Sequence, residues 1–297
     1  MNPKGLRLRD RRYFFGRRAR ILYELIGWRF RNARHLRFMN YGYHGALAPA
    51  MPDDPDLMTE RFCAQLYHAV ASQAPLAGRA VLDVGSGRGG GAAFLRRHHR
   101  PAQVVGLDFA RQAIRFCERR YAGVTGLSFR HGDALAMPFA EESFDAILDV
   151  ESAHCYADRR RFLGEARRVL RPGGALLLAD FTPAGADPAV AQARFGAELA
   201  ECGFSEISFT DLTVGILQAL DRDGARRARE IDRAFPPGTR RLARLWAGTP
   251  GSWIHDDFRT GRRAYFMLRA VRPPAPLAGL VLVAPCHDAG AEARVAR

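Results

Sequence analysis

Residues Arg79–Gly91 read "RAVLDVGSGRGGG": a short apolar run that ends in an acid and then a cluster of glycines. The run predicts a strand, and the glycines a tight turn where a ligand can lie against backbone. "GAAFLRRHH" then reads as a helix. The rhythm repeats downstream. "AQVVGLDFA" (102–110), "LSFRHGDA" (127–134), "FDAILDV" (144–150), "ALLLADF" (175–181), "EISFTDLT" (206–213) and "AYFMLRAV" (264–271) read as strands. "RQAIRFCERRY", "DRRRFLGEARRVL" and "DPAVAQARFGAELAECGF" read as intervening helices, and "RPGG" (171–174) as a turn. Strands alternating with helices predict an α/β fold with a doubly wound, mostly parallel, seven-stranded sheet. Residues 215–261 break the rhythm and read as a helical lid insertion before the last strand.

The turn lies where open α/β sheets bind ligands, at the carboxyl ends of the strands. Asp108 ends the second strand, 25 residues after Asp83 (108 − 83). An acid there suits the two hydroxyls of an adenosine ribose. These two features alone fit NAD as well as S-adenosylmethionine. Three details favour the latter. The spacing is D-x-G-x-G-x-G across Asp83, Gly85, Gly87 and Gly89, not G-x-G-x-x-G. Asp83 precedes the glycines, where a carboxylate can meet a cationic aminoacid end. Asp133 follows the third strand, where it can accept from an adenine amino group. Ser86, Phe109, Ala134 and Asp149 complete the expected cofactor-binding set. Simple helix–strand packing is the competing explanation for Gly89–Gly91.

The chain has 297 residues and a net charge of +14. Lys4 is its only lysine, so arginine carries the charge. Such a balance suits anionic partners, and equally reflects codon composition. Residues 1–40 hold twelve Lys/Arg against two acids, Asp10 and Glu24. Phe14, Ile21, Leu22, Leu25 and Trp28 fall near one helical face there. This basic amphipathic arm (1–37) suits contact with an anionic membrane surface, or packing as a lid. The main domain is expected over 38–272, with a weakly ordered tail at 273–297. Five scattered cysteines without a CxxC pair argue for reduced thiols, a cytoplasmic location and no metal site. No apolar stretch is long enough to cross a bilayer. No nucleic-acid recognition module and no "NPPY"-type motif is present.

The run from Asp83 to Phe181 resembles the class I S-adenosylmethionine-dependent methyltransferases, whose sheet is Rossmann-like. "MNYGYH", "LYHAVASQ", "GRGGGAAFL", "VESAHCYADRRRFLGEARRVLRPGG" and "ADF" together resemble the phthiotriol/phenolphthiotriol dimycocerosate methyltransferase-like branch. The resemblance covers roughly Arg37 to Ala270. It implies O-methylation of a hydroxyl on a hydrophobic small molecule such as a lipid or polyketide. C-methylation of an isoprenoid or sterol-like alkene is the alternative.

"DVESAHCYAD" (Asp149–Asp158) follows the fourth strand and so borders the crevice on the acceptor side. Histidine suits a general base because its unperturbed pKa lies near neutrality. By resemblance, His154 matches the base of related sugar O-methyltransferases, and Asp180 the carboxylate that assists it. Capping the next helix and filling a polar loop are the other roles open to His154. Glu151 suits the methionine end or an acceptor group. Cys155 reads as a buried small residue, since methyl transfer needs no covalent intermediate. Tyr41, Tyr43 and His44 are expected either to touch the ligands or to pack as a lid.

Overall fold

The computed structural model describes residues 36–46 and 50–274. The expected basic arm and tail lie outside the described residues, apart from Leu36, Arg37 and positions 273–274. Seven strands form one sheet: β1 (Ala80–Val84), β2 (Gln103–Asp108), β3 (Leu127–His131), β4 (Phe144–Val150), β5 (Leu170–Phe181), β6 (Ser205–Asp211) and β7 (Tyr265–Val271). Their order is β3-β2-β1-β4-β5-β7-β6. β7 runs antiparallel to both β5 and β6, and the other pairings are parallel.

The sheet is covered on both faces, which is why its central strands read as unbroken apolar runs. Their period-2 alternation still sorts the side chains. Val81, Leu148, Leu177, Tyr265 and Met267 face one apolar core, while Leu82, Ile147, Leu176, Leu178, Phe266 and Leu268 face the other. The first core is completed by α1 (Arg61–Ala71) and α2 (Gly90–Phe94), through Leu66, Tyr67 and Phe94. On the β2–β3 side, α3 (Arg111–Arg120) buries Phe116 and Cys117. The second core takes Phe162 and Leu163 from α4 (Arg159–Val169), and Phe195 and Leu199 from α5 (Pro188–Glu201). Side-chain N-caps start both helices: Asp158 accepts from the Arg161 N–H at 3.0 Å, and Asp187 from the Ala189 N–H at 2.8 Å.

Two local readings are refined. "GAAFLRRHH" is not one uniform helix: α2 passes into a π-helical turn over Leu95–His99, which ends at Arg100 with φ +52°. "RPGG" lies within β5 as a bulge. Pairing jumps from Phe144↔Leu170 to Ala146↔Ala175, so three surplus residues of β5 are pushed out of register.

Between β6 and β7 the chain forms α6 (Thr213–Ala234), α7 (Pro237–Trp246) and α8 (Trp253–Arg259). Ile216 and Leu220 pack α6, and Ile254 and Phe258 pack α8, onto the first core. No helix among the described residues is long and apolar enough to cross a membrane.

Candidate functional site

A cavity of about 310 Å³ opens at the carboxyl ends of β1, β2 and β4. Its floor is the glycine turn. The Gly85 and Ser86 N–H groups both donate to the Leu107 carbonyl, at 2.8 and 3.0 Å, which bends the chain sharply after β1. Gly85 has φ +68°, and a Cβ there would lie 2.0 Å from Ser152 Oγ, so no side chain fits. Gly87 differs: its φ is +53°, yet a Cβ at this position would come no nearer than 3.8 Å to any other heavy atom. A side chain at Gly87 would occupy space that belongs to the cavity.

Asp108 lines the cavity, fixed by two backbone donors. Gly87 N–H donates to Oδ2 and Ala110 N–H to Oδ1, each at 2.8 Å. Phe109, Asp133 and Ala134 form the adjoining wall. Asp133 Oδ1 accepts from the Leu135 N–H at 3.0 Å. The elements following β2 and β3 therefore meet on one side of the cavity, bringing together the residues that the sequence assigns to the adenosine half of the expected cofactor.

Asp83 sits elsewhere than Asp108. It is fully buried, behind the cavity wall, with Tyr67 Oη donating to Oδ1 at 3.3 Å. Asp83 Oδ2 and Ser86 Oγ are buried without a hydrogen-bond partner among the described residues. Burial pushes the Asp83 carboxyl up to about 8; the Tyr67 bond opposes this, and Asp149 and Asp108 add repulsion. A buried orphan acceptor is costly unless something satisfies it. A cationic ammonium beside Asp83 meets that need, and a hydroxyl or carboxylate ligand suits Ser86. The residues present therefore fit S-adenosylmethionine.

Asp149 is also fully buried and off the cavity wall. Both its oxygens are used within the protein: Oδ1 accepts the Ala153 N–H at 2.9 Å, and Oδ2 accepts the Tyr156 hydroxyl at 2.7 Å. Since Tyr156 donates its only hydroxyl proton there, the 2.6 Å contact with Ser152 Oγ makes serine the donor. Asp149 thus holds the post-β4 turn in shape, and that turn presents Glu151, Ser152, Cys155 and Tyr156 to the cavity.

Glu151 occupies the left-handed region, with φ +56°, a conformation costing about 1–2 kcal/mol for a residue with a Cβ. Its backbone N–H donates to the Ala179 carbonyl at 2.8 Å. Its Oε1 accepts both the Tyr41 N–H (2.8 Å) and the Tyr265 hydroxyl (2.9 Å). Burial pushes this carboxyl up to about 7 against those two donors.

His154 and Asp180 lie beside the cavity rather than in its wall. The His154 N–H donates to Asp180 Oδ2 at 2.7 Å, and Nδ1 lies 2.9 Å from Asp180 Oδ1. The Phe181 N–H also holds Oδ1, at 2.8 Å. The imidazole packs on Phe181, ring centres 4.6 Å apart, and keeps 22% of its side chain exposed. Burial alone would lower its pKa; Asp180 and then Cys155 outweigh that and hold it well above 6.5.

Arg37, Phe38, Met39 and Asn40 close over the cavity, and all but Arg37 belong to the aromatic segment that the sequence singles out. Tyr67 and Tyr156 each serve a buried aspartate through contacts that are remote in sequence or invisible to spacing. Of the aromatic segment, Tyr43 is buried in the first core, and His44 donates its backbone N–H to the Gly215 carbonyl at 3.0 Å.

Residues 82–178 match the family described as "Methyltransferase domain". The chain is 35% identical over 238 residues to a fatty-acid O-methyltransferase of Mycolicibacterium smegmatis, covering 80% of this chain and 83% of that protein. It is 34% identical over 230 residues to a phthiotriol/phenolphthiotriol dimycocerosates methyltransferase of Mycobacterium tuberculosis, covering 77% and 83%. Among solved structures, the [4+2]-cyclase SpnF shares the fold with TM-score 0.65 at 21% identity, over 88% of this chain and 97% of that one. The geranyl diphosphate C-methyltransferase of Streptomyces coelicolor A3(2) shares it with TM-score 0.59 at 19% identity, over 84% and 98%. The chain belongs to the class I S-adenosylmethionine-dependent methyltransferases, in the family that contains these mycobacterial fatty-acid and phthiotriol/phenolphthiotriol dimycocerosates enzymes.

Proposed function

We infer that this enzyme methylates a hydroxyl oxygen of a hydrophobic, lipid-like acceptor, with His154 as general base. The observation that carries this reading is the pair of hydrogen bonds between His154 and Asp180. Bound S-adenosylmethionine supplies an electrophilic methyl group. The residues then have three tasks. Asp108 and Asp133 orient the nucleoside, while Asp83 and Ser86 meet the aminoacid end. The segment over the cavity excludes water. His154 takes the proton that the acceptor hydroxyl loses as its oxygen bonds to carbon.

With Nδ1 committed to Asp180, Nε2 is the ring nitrogen left for that proton. The Asp180 carboxylate stabilises the imidazolium that results. Such a base contributes about two to four orders of magnitude. The aromatic surroundings of His154 suit an apolar acceptor: Tyr41, Phe258 and Tyr265 pack around Phe181 at ring distances of 5.9–6.2 Å. The names of the relatives in the same family support a lipid acceptor. For the segment before Leu36 we assign contact with an anionic lipid surface.

The test uses S-adenosylmethionine carrying an isotope-labelled methyl group and a panel of hydroxylated lipids. Mass fragmentation of the product should find the label on oxygen. Label on a former alkene carbon would replace this reading with C-methylation.

A further inference from the structure

The cavity's roof is a single strap of chain, residues 36–44, tied down along its length. At its start, the Arg37 and Phe38 N–H groups donate to Glu60 Oε1 at 2.9 and 3.1 Å. The Leu36 carbonyl accepts from Arg88 Nε at 2.6 Å, and the Arg37 carbonyl from the Gly90 N–H at 3.1 Å. At its far end, the Tyr43 N–H donates to the Phe62 carbonyl at 2.8 Å.

Between these ends the backbone of Tyr41 is gripped from both sides. Its N–H donates to Glu151 Oε1 at 2.8 Å. Its carbonyl accepts from Arg227 Nη2, also at 2.8 Å. The same Nη2 reaches the Asn40 carbonyl at 3.1 Å, and Nη1 the Ala247 carbonyl at 3.3 Å. Nε forms an ion pair with Asp223 Oδ2 at 3.0 Å. Arg227 projects from α6 and is absent from the cavity wall; only 10% of its side chain is exposed. A buried cation needs partners around its whole head. Here three backbone carbonyls take hydrogen bonds from Nη1 and Nη2, and Asp223 balances the charge as an ion pair at Nε, which makes no hydrogen bond among the described residues; the planar guanidinium fork is what can span carbonyls of two separate segments.

We propose that Glu151 and Arg227 form a two-sided latch on the backbone of Tyr41, making Arg227 a positioning residue that holds the roof over bound cofactor. The latch joins three elements: the turn after β4, helix α6 of the insertion, and the strap. Cofactor that leaves under the strap must first break bonds on both sides of one residue's backbone. Residence of the cofactor is thereby set from the insertion, by a residue that touches no ligand. This rests on the cofactor site and is independent of whether the methyl goes to oxygen or carbon.

The experiment measures the dissociation rate of S-adenosylhomocysteine, together with backbone hydrogen exchange by mass spectrometry, on the full-length protein. Arg227→Met and Glu151→Ala each remove one side of the latch. Each should speed S-adenosylhomocysteine release about tenfold or more, the size expected for losing a charge-assisted hydrogen bond. Exchange should rise over residues 37–44 and stay unchanged in β1 and β4. Glu151→Gln keeps a carbonyl oxygen for the Tyr41 N–H and should retain slow release. Unchanged release from both latch-breaking variants would overturn the proposal. So would a rise in exchange throughout the sheet, which would make Arg227 a general support of the fold.

Discussion

His154 is bonded to Asp180 twice, through its backbone N–H at 2.7 Å and its Nδ1 at 2.9 Å, across 26 residues of sequence. One carboxylate thereby fixes both the turn that carries the imidazole and the rotation of the ring. Asp180 is itself pinned by the Phe181 N–H, so neither partner can turn without breaking a second bond. The consequence is a histidine whose proton affinity is set by its neighbour.

That coupling fixes the pH dependence. Burial alone favours the neutral imidazole, and the Asp180 carboxylate reverses this, holding the pKa well above 6.5. A protonated ring cannot act as base, so the acid limb of the rate profile should lie above the ordinary histidine range. Asp180→Asn removes the charge and leaves the burial, which should move the limb to lower pH. Profiles of kcat/KM for the two proteins check this, and an unmoved limb would remove Asp180 from the pair.

Asp83 should reveal itself through stability of the cofactor-free protein. Its carboxyl titrates at about 8 in the fold, against about 3.9 when unfolded. The folded state then holds the extra proton between those values. Stability from this group is complete below the lower value and is lost as pH rises through about 8. Asp149 and Glu151, both raised to about 7, act in the same direction. Asp83→Asn should flatten the fall of Tm between about pH 4 and pH 8, the window these values define. The same variant should weaken S-adenosylhomocysteine binding about tenfold or more, as expected for a lost charged hydrogen bond. A Tm profile as steep as that of the wild type would contradict the assignment.

Two aspartates show how far the sequence can be read. Asp83 is the penultimate residue of β1 and Asp108 the last of β2, and alternation of strand with helix places both correctly in the sheet. Spacing does not say which way an end residue turns. Asp108 is drawn to the cavity by the Gly87 and Ala110 N–H groups, whereas Asp83 points back toward Tyr67 on α1. Asp149 is legible as a strand end, yet its role depends on a tyrosine seven residues later that closes onto it. The strap and its grip by Arg227 join residues 186 positions apart, and no local pattern carries such a pairing.

The glycine turn yields a paired prediction. A Cβ on Gly91 would lie 1.9 Å from the Tyr67 ring, so Gly91→Ala must displace the tyrosine that serves Asp83. A Cβ on Gly87 meets only open cavity, apart from the strain of its positive φ. Gly87→Ala should cost about 1–2 kcal/mol of stability and sharply reduce cofactor affinity. Gly91→Ala should cost more stability, about 1–3 kcal/mol or beyond, as overpacking does. Denaturant melts and calorimetry with S-adenosylhomocysteine separate the two effects.

Contact with lipid should depend on the segment before Leu36. Truncation must spare Leu36 and Arg37, because their carbonyls are bonded to Arg88 and Gly90 at the cofactor turn. Removing residues 1–35 takes away eleven Lys/Arg and two acids. Binding to anionic vesicles should fall, with cofactor affinity preserved. Equal vesicle binding by the intact and truncated proteins would refute the assignment.

The central claim is that His154 accepts the acceptor's proton, and its most direct test is the turnover of His154→Ala on a hydroxyl acceptor that the wild type methylates. The expected result is a kcat lower by about two to four orders of magnitude with S-adenosylhomocysteine affinity nearly unchanged, since the cofactor cavity stays intact. Turnover close to that of the wild type would contradict the account and leave Glu151, or alignment alone, to carry the reaction.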